Sequence, residues 1–257
     1  GGFGNNQEFF IHLNIEDLIM SDNNPKLPEG IYKKTHVYQA VDYDNPKHLF
    51  TVIGDKIEAL VINSVPVNLL DIGGASGAFC YYINKRFVDF KTVCLEYDEK
   101  LCEVGKERVP ESTFICGDVN KRAMIEDNSF DVVTMLGVMT IFDDFKPSLS
   151  ESLRVAKPGS NVFVFGQFND HDIDVLIRYR YSNNDVWNRG WNIFSKCSID
   201  AFLSARTDIE KWSYEKFRLP FDLEKTDDPI RSWTEINARG ERVFKNGLNI
   251  EINLQIL

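Results

Sequence analysis

Short apolar runs alternate with amphipathic segments through the middle of this 257-residue chain. Apolar residues recur at helical spacing from 49 to 63, and the apolar run from 67 to 72 has the length of a buried strand. The same alternation predicts helices over 78–87, 98–108 and 147–156 and further strands over 91–96, 113–116, 129–136 and 161–166. Strands that alternate with helices indicate βαβ units around a parallel sheet.

The last third of the chain has a different character, and it contains all four tryptophans. The polar and aromatic segment 168–195 is too long for a plain connection. A helix is expected over 199–204, a hairpin that turns at 238–240 within 222–247, and two strands over 209–221 and 248–257. We expect the two strands to close the sheet as an antiparallel pair, and the segments 168–195 and 222–247 to be insertions that cover a substrate.

Composition narrows the function classes. Hydrophobic residues make up 43% and charged residues 26% of the chain, as in soluble globular proteins. The net charge of −10 argues against nucleic-acid binding, and the longest apolar stretch is far shorter than the roughly 18 residues of a membrane helix. The five cysteines include no CxxC pair, and no cluster has metal-ligand spacing. We therefore expect a cytoplasmic protein without a metal and without a membrane partner.

A glycine-rich turn is the main chemical signal. In the sequence LLDIGGASG, residues 69–77, an apolar strand delivers an acidic residue, Asp71, to a turn that leads into a helix. Glycines permit a tight turn and the close approach of a ligand to the backbone. Such a turn alone also fits a dinucleotide-binding enzyme, or a turn that binds no ligand.

Two carboxylates sharpen this interpretation. Glu96 ends the second strand, where an acid can accept the ribose hydroxyls of an adenosine. Asp118 ends the third strand, where a carboxylate can accept a hydrogen bond from the adenine amino group. The glycine spacing departs from GxGxxG, and Asp71 would repel a pyrophosphate at the helix N-terminus. A ligand with a cationic amino-acid end would tolerate that carboxylate.

With these features, residues 49–165 resemble the class I, Rossmann-like S-adenosylmethionine (SAM)-dependent methyltransferases of small-molecule type. The glycine turn is similar to the acidic-x-Gly-x-Gly-x-Gly motif of that family, with Ala75 in place of the middle glycine. The segments LEYD, ICGDV, SFDVVTMLGV and LRVAKPGS follow in the family's order. The resemblance implies an α/β fold: a three-layer α/β/α sandwich whose seven-stranded, mostly parallel sheet has the order 3-2-1-4-5-7-6, with a cap insertion after strand five.

The resemblance also implies a cofactor site for SAM and its product S-adenosylhomocysteine, and no metal. Its expected residues lie in the glycine turn, at the ends of strands two and three, and after strand four: Asp71, Gly73, Gly74, Ala75, Gly77, Glu96, Tyr97, Asp118, Val119, Leu136 and Gly137. Residues 1–48 are expected to cover the site, and 49–257 to form the methyltransferase domain.

A methyl acceptor must reach the sulfonium carbon in line with the bond that breaks, so catalysis is mainly positioning. A hydroxyl acceptor would also need a general base, for which His171 and His36 are the candidates. Arg178, Arg180 and Trp187 are candidates for binding a planar or anionic acceptor. The same stretch is rich in aspartates, so internal ion pairs are the competing interpretation.

The leading hypothesis is O- or N-methylation of a small molecule, such as a sugar or a natural-product intermediate. Three alternatives remain open at this point: a methyltransferase acting on protein or RNA, an NAD-dependent oxidoreductase, and a non-catalytic SAM-binding partner protein. The acidic charge balance counts against RNA, and Asp71 with the glycine spacing counts against NAD.

Overall fold

The computed structural model describes residues 41–61, 66–122 and 124–257. Five α-helices of this part flank the sheet: α1 (His48–Val61), α2 (Ala78–Arg86), α3 (Glu99–Arg108), α4 (Lys146–Val155) and α5 (Lys196–Ser204). The first five strands are β1 (Val67–Ile72), β2 (Phe90–Glu96), β3 (Thr113–Cys116), β4 (Phe130–Leu136) and β5 (Ala156–Asn169). Eight shorter strands are β6 (Arg178–Tyr179), β7 (Asn188–Arg189), β8 (Phe194–Ser195), β9 (Glu215–Lys216), β10 (Trp233–Ile236), β11 (Arg242–Lys245), β12 (Glu251–Ile252) and β13 (Leu254–Ile256).

The main sheet has the order β3-β2-β1-β4-β5-β13-β9, with β8 paired to the end of β5. Strands β1 to β5 are parallel, whereas β13 is antiparallel to both β5 and β9. This confirms the predicted α/β fold and the predicted order, with β9 as the sixth strand and β13 as the seventh. The order reverses between β1 and β4, which is where ligands bind in open α/β sheets.

Burial explains why the central strands are apolar along their whole length. In β1, Leu69, Leu70 and Ile72 are all buried, although neighbouring side chains point to opposite faces of the sheet. Because helices cover both faces, both sets of side chains enter the core. The buried Asp71 is therefore an exception within this strand.

Helix α3 holds the outer strands in place. Asp98 is its N-cap, and the Asp98 side chain accepts hydrogen bonds from the backbone N–H groups of Lys100 (2.8 Å) and Leu101 (3.4 Å). Further along the helix, a Cβ on Gly105 would lie 2.2 Å from the ring of Phe114. The glycine thus lets α3 lie close against β3, the strand that leads to Asp118.

Several boundaries differ from the sequence prediction. Strand β5 is longer than 161–166 and begins at Ala156, with a register shift against β4 between Phe130 and Val132. The predicted strand over 209–221 is reduced to Glu215–Lys216. The alternating segment 248–257 is divided at Asn253 between β12, which pairs with β11, and β13, which pairs with β5.

The two proposed insertions contribute strands to two small sheets outside the main sheet. Strands β6 and β7 pair as a hairpin within 168–195, and β10-β11-β12 form a three-stranded sheet that includes the predicted hairpin. None of the helices in the described ranges is long and apolar enough to cross a membrane.

Candidate functional site

The glycine turn after β1 is the tight turn that its sequence predicts. Gly73, Ala75 and Gly77 have φ angles of 70°, 51° and 85°, all in the left-handed region. A Cβ on Gly73 would lie 2.2 Å from Cγ2 of Val138. Glycine at position 73 is therefore what allows the turn to pack directly against the segment that follows β4.

Asp71 lies beneath this turn. Its carboxylate is 3% exposed, and its Oδ1 accepts a hydrogen bond from the Thr134 hydroxyl at 2.8 Å. A Cβ on Gly74 would lie 2.5 Å from Oδ2 of Asp71, so the carboxylate touches the underside of the turn. Burial raises the pKa of Asp71 to about 7; the Thr134 hydrogen bond lowers this pKa, and the charge of Glu96 raises it.

Glu96 joins the end of β2 to the glycine turn. Its Oε2 accepts the N–H of Ala75 at 2.9 Å, and its Oε1 accepts the N–H groups of Tyr97 and Asp98, both at 2.9 Å. Burial raises the pKa of Glu96, and these three hydrogen bonds oppose the rise. A carboxylate has about four acceptor positions. About one is therefore left, so binding both ribose hydroxyls would require one backbone donor to give way.

The predicted adenine edge is built from the turn after β3. Oδ1 of Asp118 accepts the N–H of Asn120 at 2.9 Å, and Oδ2 lies 3.5 Å from Nζ of Lys121. Val119 is buried, while Tyr97 is 38% exposed and has surface available for a planar ligand. Asn120, two residues after Asp118, is not among the residues predicted from sequence. Its Oδ1 is buried and has no hydrogen-bond partner within the described part of the chain.

The segment after β4 lies at the same edge of the sheet as the other cofactor candidates, and we call this the cofactor edge. Leu136 is buried and ends β4, and Gly137 has a φ angle of 86°. The N–H of Gly137 donates to the carbonyl of Phe165 in β5 at 2.9 Å. This bond joins the turn after β4 to the neighbouring strand β5. In the resembling family, the same turn approaches the methionine end of the cofactor.

Three contacts therefore connect the cofactor candidates along one edge of the sheet. Val138 packs on Gly73, Glu96 accepts from Ala75, and the N–H of Gly117 donates to the carbonyl of Glu96 at 2.8 Å. One observation among them fits SAM: the unpartnered Asn120 oxygen offers an acceptor for an exocyclic amino group at the predicted adenine edge.

The N-terminal segment touches the same turn at its described end. The Tyr43 hydroxyl donates to the carbonyl of Ser76 at 2.7 Å, and its ring packs edge-on against Tyr81. Residues 1–40, including the candidate base His36, lie outside the described residues, so the predicted covering role of 1–48 stays a prediction.

The insertion after β5 docks on the segment that follows β4. Arg178 contacts Asp143 at 2.5 Å, and Arg189 contacts the same carboxylate at 3.4 Å. The side-chain amide of Asn192 donates to the carbonyl of Phe142 at 2.7 Å. Burial acts to raise the pKa of Asp143, but Arg178 and Arg189 outweigh it and hold this pKa below its usual value.

The remaining candidates lie on the outer surface of the insertion. Arg180 pairs with Asp185 at 2.9 Å, and its guanidinium lies 5.5 Å from the ring centroid of Trp187, which is 53% exposed. His171 is exposed in the turn after β5, where its backbone N–H donates to Asn169. The arginines thus make internal ion pairs with aspartates, which was the competing interpretation of this stretch. The acceptor-binding roles of Arg178, Arg180 and Trp187 stay predictions, and so does the role of His171 as a general base.

Two further polar side chains lie at the carboxyl ends of β4 and β5, and neither was predicted from sequence to be a site residue. Thr140 and Gln167 are fully buried. The Thr140 hydroxyl and both polar atoms of the Gln167 carboxamide lack a hydrogen-bond partner among the described residues. The one signal for Gln167 in the sequence is a glutamine within the apolar run of strand five. In the described ranges, no group of three or more His, Cys, Asp or Glu side chains is placed to hold a metal ion.

Parts of this chain are similar in sequence to known methyltransferases. A family model described as a methyltransferase domain matches residues 70–164. Demethylmenaquinone methyltransferase of Renibacterium salmoninarum is 36% identical over 93 residues, which are 34% of this chain and 39% of that protein. The enzyme of the same name from Paenarthrobacter aurescens is 30% identical over 128 residues, 48% of each chain. This chain thus spans less than half of the length of either curated relative.

A solved structure shows the same fold over a longer range. The YcgJ protein of Bacillus subtilis aligns with a TM-score of 0.51 at 14% identity, over 81% of this chain and 95% of that one. At this identity the likeness concerns the fold alone. Residues 70–164 thus match a methyltransferase domain, and the strand order and this likeness of fold agree with a class I, Rossmann-like architecture.

Proposed function

We propose that this protein transfers the methyl group of SAM to a small-molecule acceptor. The observation that carries the proposal is the hydrogen bond between the Ala75 N–H and Oε2 of Glu96. It couples the acid at the end of β2 to the glycine turn after β1, so that one rigid edge presents the groups suited to both ends of an adenosyl amino acid.

Bound SAM supplies a sulfonium methyl that is already electrophilic. Glu96 and Asn120 would hold the adenosine, and the turn from Gly73 to Gly77 would accommodate the methionine end. Gly137 would lie beside the reacting centre. The protein's contribution to the rate is then the orientation of the acceptor and the exclusion of water, rather than covalent chemistry.

Three features favour a small acceptor. The net charge of −10 is unsuited to nucleic acid. Arg178, Arg189 and Asn192 hold the insertion after β5 against the segment after β4, and an insertion that covers the site from there would suit a small acceptor. The curated relatives are named for a small molecule, and the similarity to them extends over 34% and 48% of this chain. Whether the acceptor atom is oxygen or nitrogen decides whether a base such as His171 is needed.

Calorimetric titration of the purified protein with SAM, S-adenosylhomocysteine and NAD tests the cofactor assignment. We expect micromolar binding of both adenosyl ligands and none of NAD. Glu96→Ala should weaken that binding by at least tenfold, because it removes an acceptor and releases the Ala75 N–H. Glu99→Ala is the matched control, since Glu99 is an exposed acid three residues further along. Binding of NAD in place of SAM would support an oxidoreductase instead.

Methyl transfer is then measured with radiolabelled SAM and a panel of probes that covers the acceptor classes, such as catechol for oxygen and glycine for nitrogen. Turnover on any probe supports the proposed reaction. Tight SAM binding without turnover on any small molecule, together with labelling of added protein, would point to a macromolecular acceptor. Tight binding without any labelling would favour a non-catalytic SAM-binding protein.

A further inference from the structure

Gln167 is a buried polar residue that the fold leaves without a partner. It lies in β5 among apolar neighbours and is 0% exposed. Its Oε1 and Nε2 make no hydrogen bond within the described ranges of the chain. An unpaired carboxamide in a protein interior costs free energy, so such a group calls for a physical explanation.

Gln167 lies close to the cofactor edge along strand β5. Two residues earlier on the same strand, the carbonyl of Phe165 accepts the N–H of Gly137, which is one of the residues of the cofactor edge. Side chains two apart on a strand share a face, and they are separated by about 7 Å along the strand. Gln167 therefore lies one step beyond Gly137 toward the carboxyl end of the sheet.

The surroundings of Phe165 show which face this is. The Phe165 ring packs against Phe217 with centroids 5.1 Å apart, and Phe217 in turn contacts the ring of His48 at the start of α1. The Gln167 carboxamide thus lies on the face that α1 covers, at the edge where strand order places ligands. The insertion that carries Arg178 begins just after the same strand.

From this geometry we infer that Gln167 is a specificity-determining residue of the methyl-acceptor site. A carboxamide presents an acceptor and two donors in one plane. It fits an acceptor molecule whose edge carries an N–H or O–H group beside a carbonyl oxygen. The inference rests on the proposed function, which makes this a methyl-acceptor site. It adds to that function the chemical group of the acceptor that the site recognises.

The neighbouring strand offers a matched control. Gln255 in β13 is also a buried glutamine, but it pairs with Gly166 and therefore lies on the opposite face of the sheet. Gln167→Leu and Gln255→Leu make the same chemical change at adjacent strands. Only the first removes the group that faces the inferred acceptor site.

The first measurement is stability together with cofactor affinity. We expect Gln167→Leu to raise the Tm of the ligand-free protein by a few degrees, because it removes an unpaired polar group at similar side-chain volume. The Kd for S-adenosylhomocysteine should stay within twofold of the wild-type value. A lowered Tm, or an affinity weakened tenfold, would mean that the amide serves the fold or the cofactor, and would overturn the inference.

The second measurement uses a matched pair of probes with the protein saturated in S-adenosylhomocysteine. 2-Pyridone carries an N–H beside a carbonyl, whereas N-methyl-2-pyridone lacks the donor. By saturation-transfer NMR, we expect 2-pyridone to bind the wild type and Gln255→Leu more strongly than its N-methyl analogue, and to lose this preference in Gln167→Leu. Equal binding of 2-pyridone to wild type and Gln167→Leu, or no binding to either, would contradict the inference. Failure of the proposed function would instead show as absent SAM binding or absent methyl transfer.

Discussion

The hydroxyl of Thr134 donates to Oδ1 of Asp71 across the β1–β4 junction, at 2.8 Å. The two residues are register partners on adjacent parallel strands, at the point where the strand order reverses. A buried acid is thereby held under the glycine turn by a neutral donor rather than by a cation. This arrangement leaves the cost of burying the charge largely uncompensated, which is why the pKa of Asp71 is raised to about 7.

Stability should therefore depend on the protonation of Asp71. Because its folded-state pKa of about 7 exceeds the ordinary value of 3.8, the folded state binds the proton more tightly than the unfolded state. This stabilisation is complete below pH 4 and is lost as the pH rises to 7, a change on the order of a few kcal/mol. Asp71→Asn keeps an acceptor for Thr134 and should remove this decline. Urea unfolding from pH 5 to 8 measures it.

Thr134→Val serves as the comparison for that experiment. It removes the hydrogen bond that lowers the pKa of Asp71, so the decline in stability should extend to higher pH than in the wild type. An Asp71→Asn variant whose pH dependence matches the wild type would show that the carboxylate titrates normally.

Close packing of the glycine turn should make Gly73 far less replaceable than another glycine of similar backbone. Gly73 and Gly159 both have positive φ, but only a Cβ at position 73 meets Val138. Gly159→Ala should cost about 1 kcal/mol of unfolding free energy from backbone strain alone. Gly73→Ala should cost roughly 2–4 kcal/mol, because overpacking adds to that strain, and it should weaken S-adenosylhomocysteine binding. Similar unfolding midpoints for the two variants would contradict the packing of the turn against Val138.

Ala75 occupies a left-handed conformation that suits glycine better. Its φ angle is 51°, at the position where the resembling family has the middle glycine of the motif. Relief of the Cβ strain should outweigh the entropy cost of glycine, so Ala75→Gly is expected to stabilise the fold by up to about 1 kcal/mol. Affinity for S-adenosylhomocysteine should be kept or improved, since the Ala75 N–H still donates to Glu96. Chemical denaturation measures the unfolding free energy, and calorimetry measures the affinity. A destabilised variant would show that the backbone of Ala75 is not strained.

The ion pair between Arg178 and Asp143 should matter more for the acceptor than for stability. Both groups are partly exposed, so Arg178→Ala should change the unfolding free energy by less than about 1 kcal/mol. It loosens the insertion over the segment after β4, so the KM of the acceptor should rise several-fold while cofactor affinity stays constant. Arg206→Ala, which breaks a local pair with Asp208, is the control. Identical acceptor KM values for both variants would show that the insertion does not take part in acceptor binding.

Residue type and spacing along the chain are enough to predict the residues of the cofactor edge. The alternation of apolar runs predicted the layers, because a strand buried on both faces and an amphipathic helix have different periods. Asp71, Glu96 and Asp118 stand out because carboxylates at the ends of apolar strands are costly without a purpose. The strand order confirmed that the ends of β1, β2 and β3 share one edge.

Contacts between distant segments were beyond the reach of sequence patterns. No local signal shows that Val138 presses on Gly73, that Arg178 reaches Asp143, or that Asn120 and Gln167 are left without partners in the described chain. Propensity and periodicity are properties of neighbours along the chain, whereas hydrogen-bond satisfaction depends on everything that surrounds an atom. Periodicity and residue type were therefore enough to predict the fold class and the acids of the cofactor edge. Which polar groups remain available to a ligand depends on the packed chain, because burial and pairing exist only after folding.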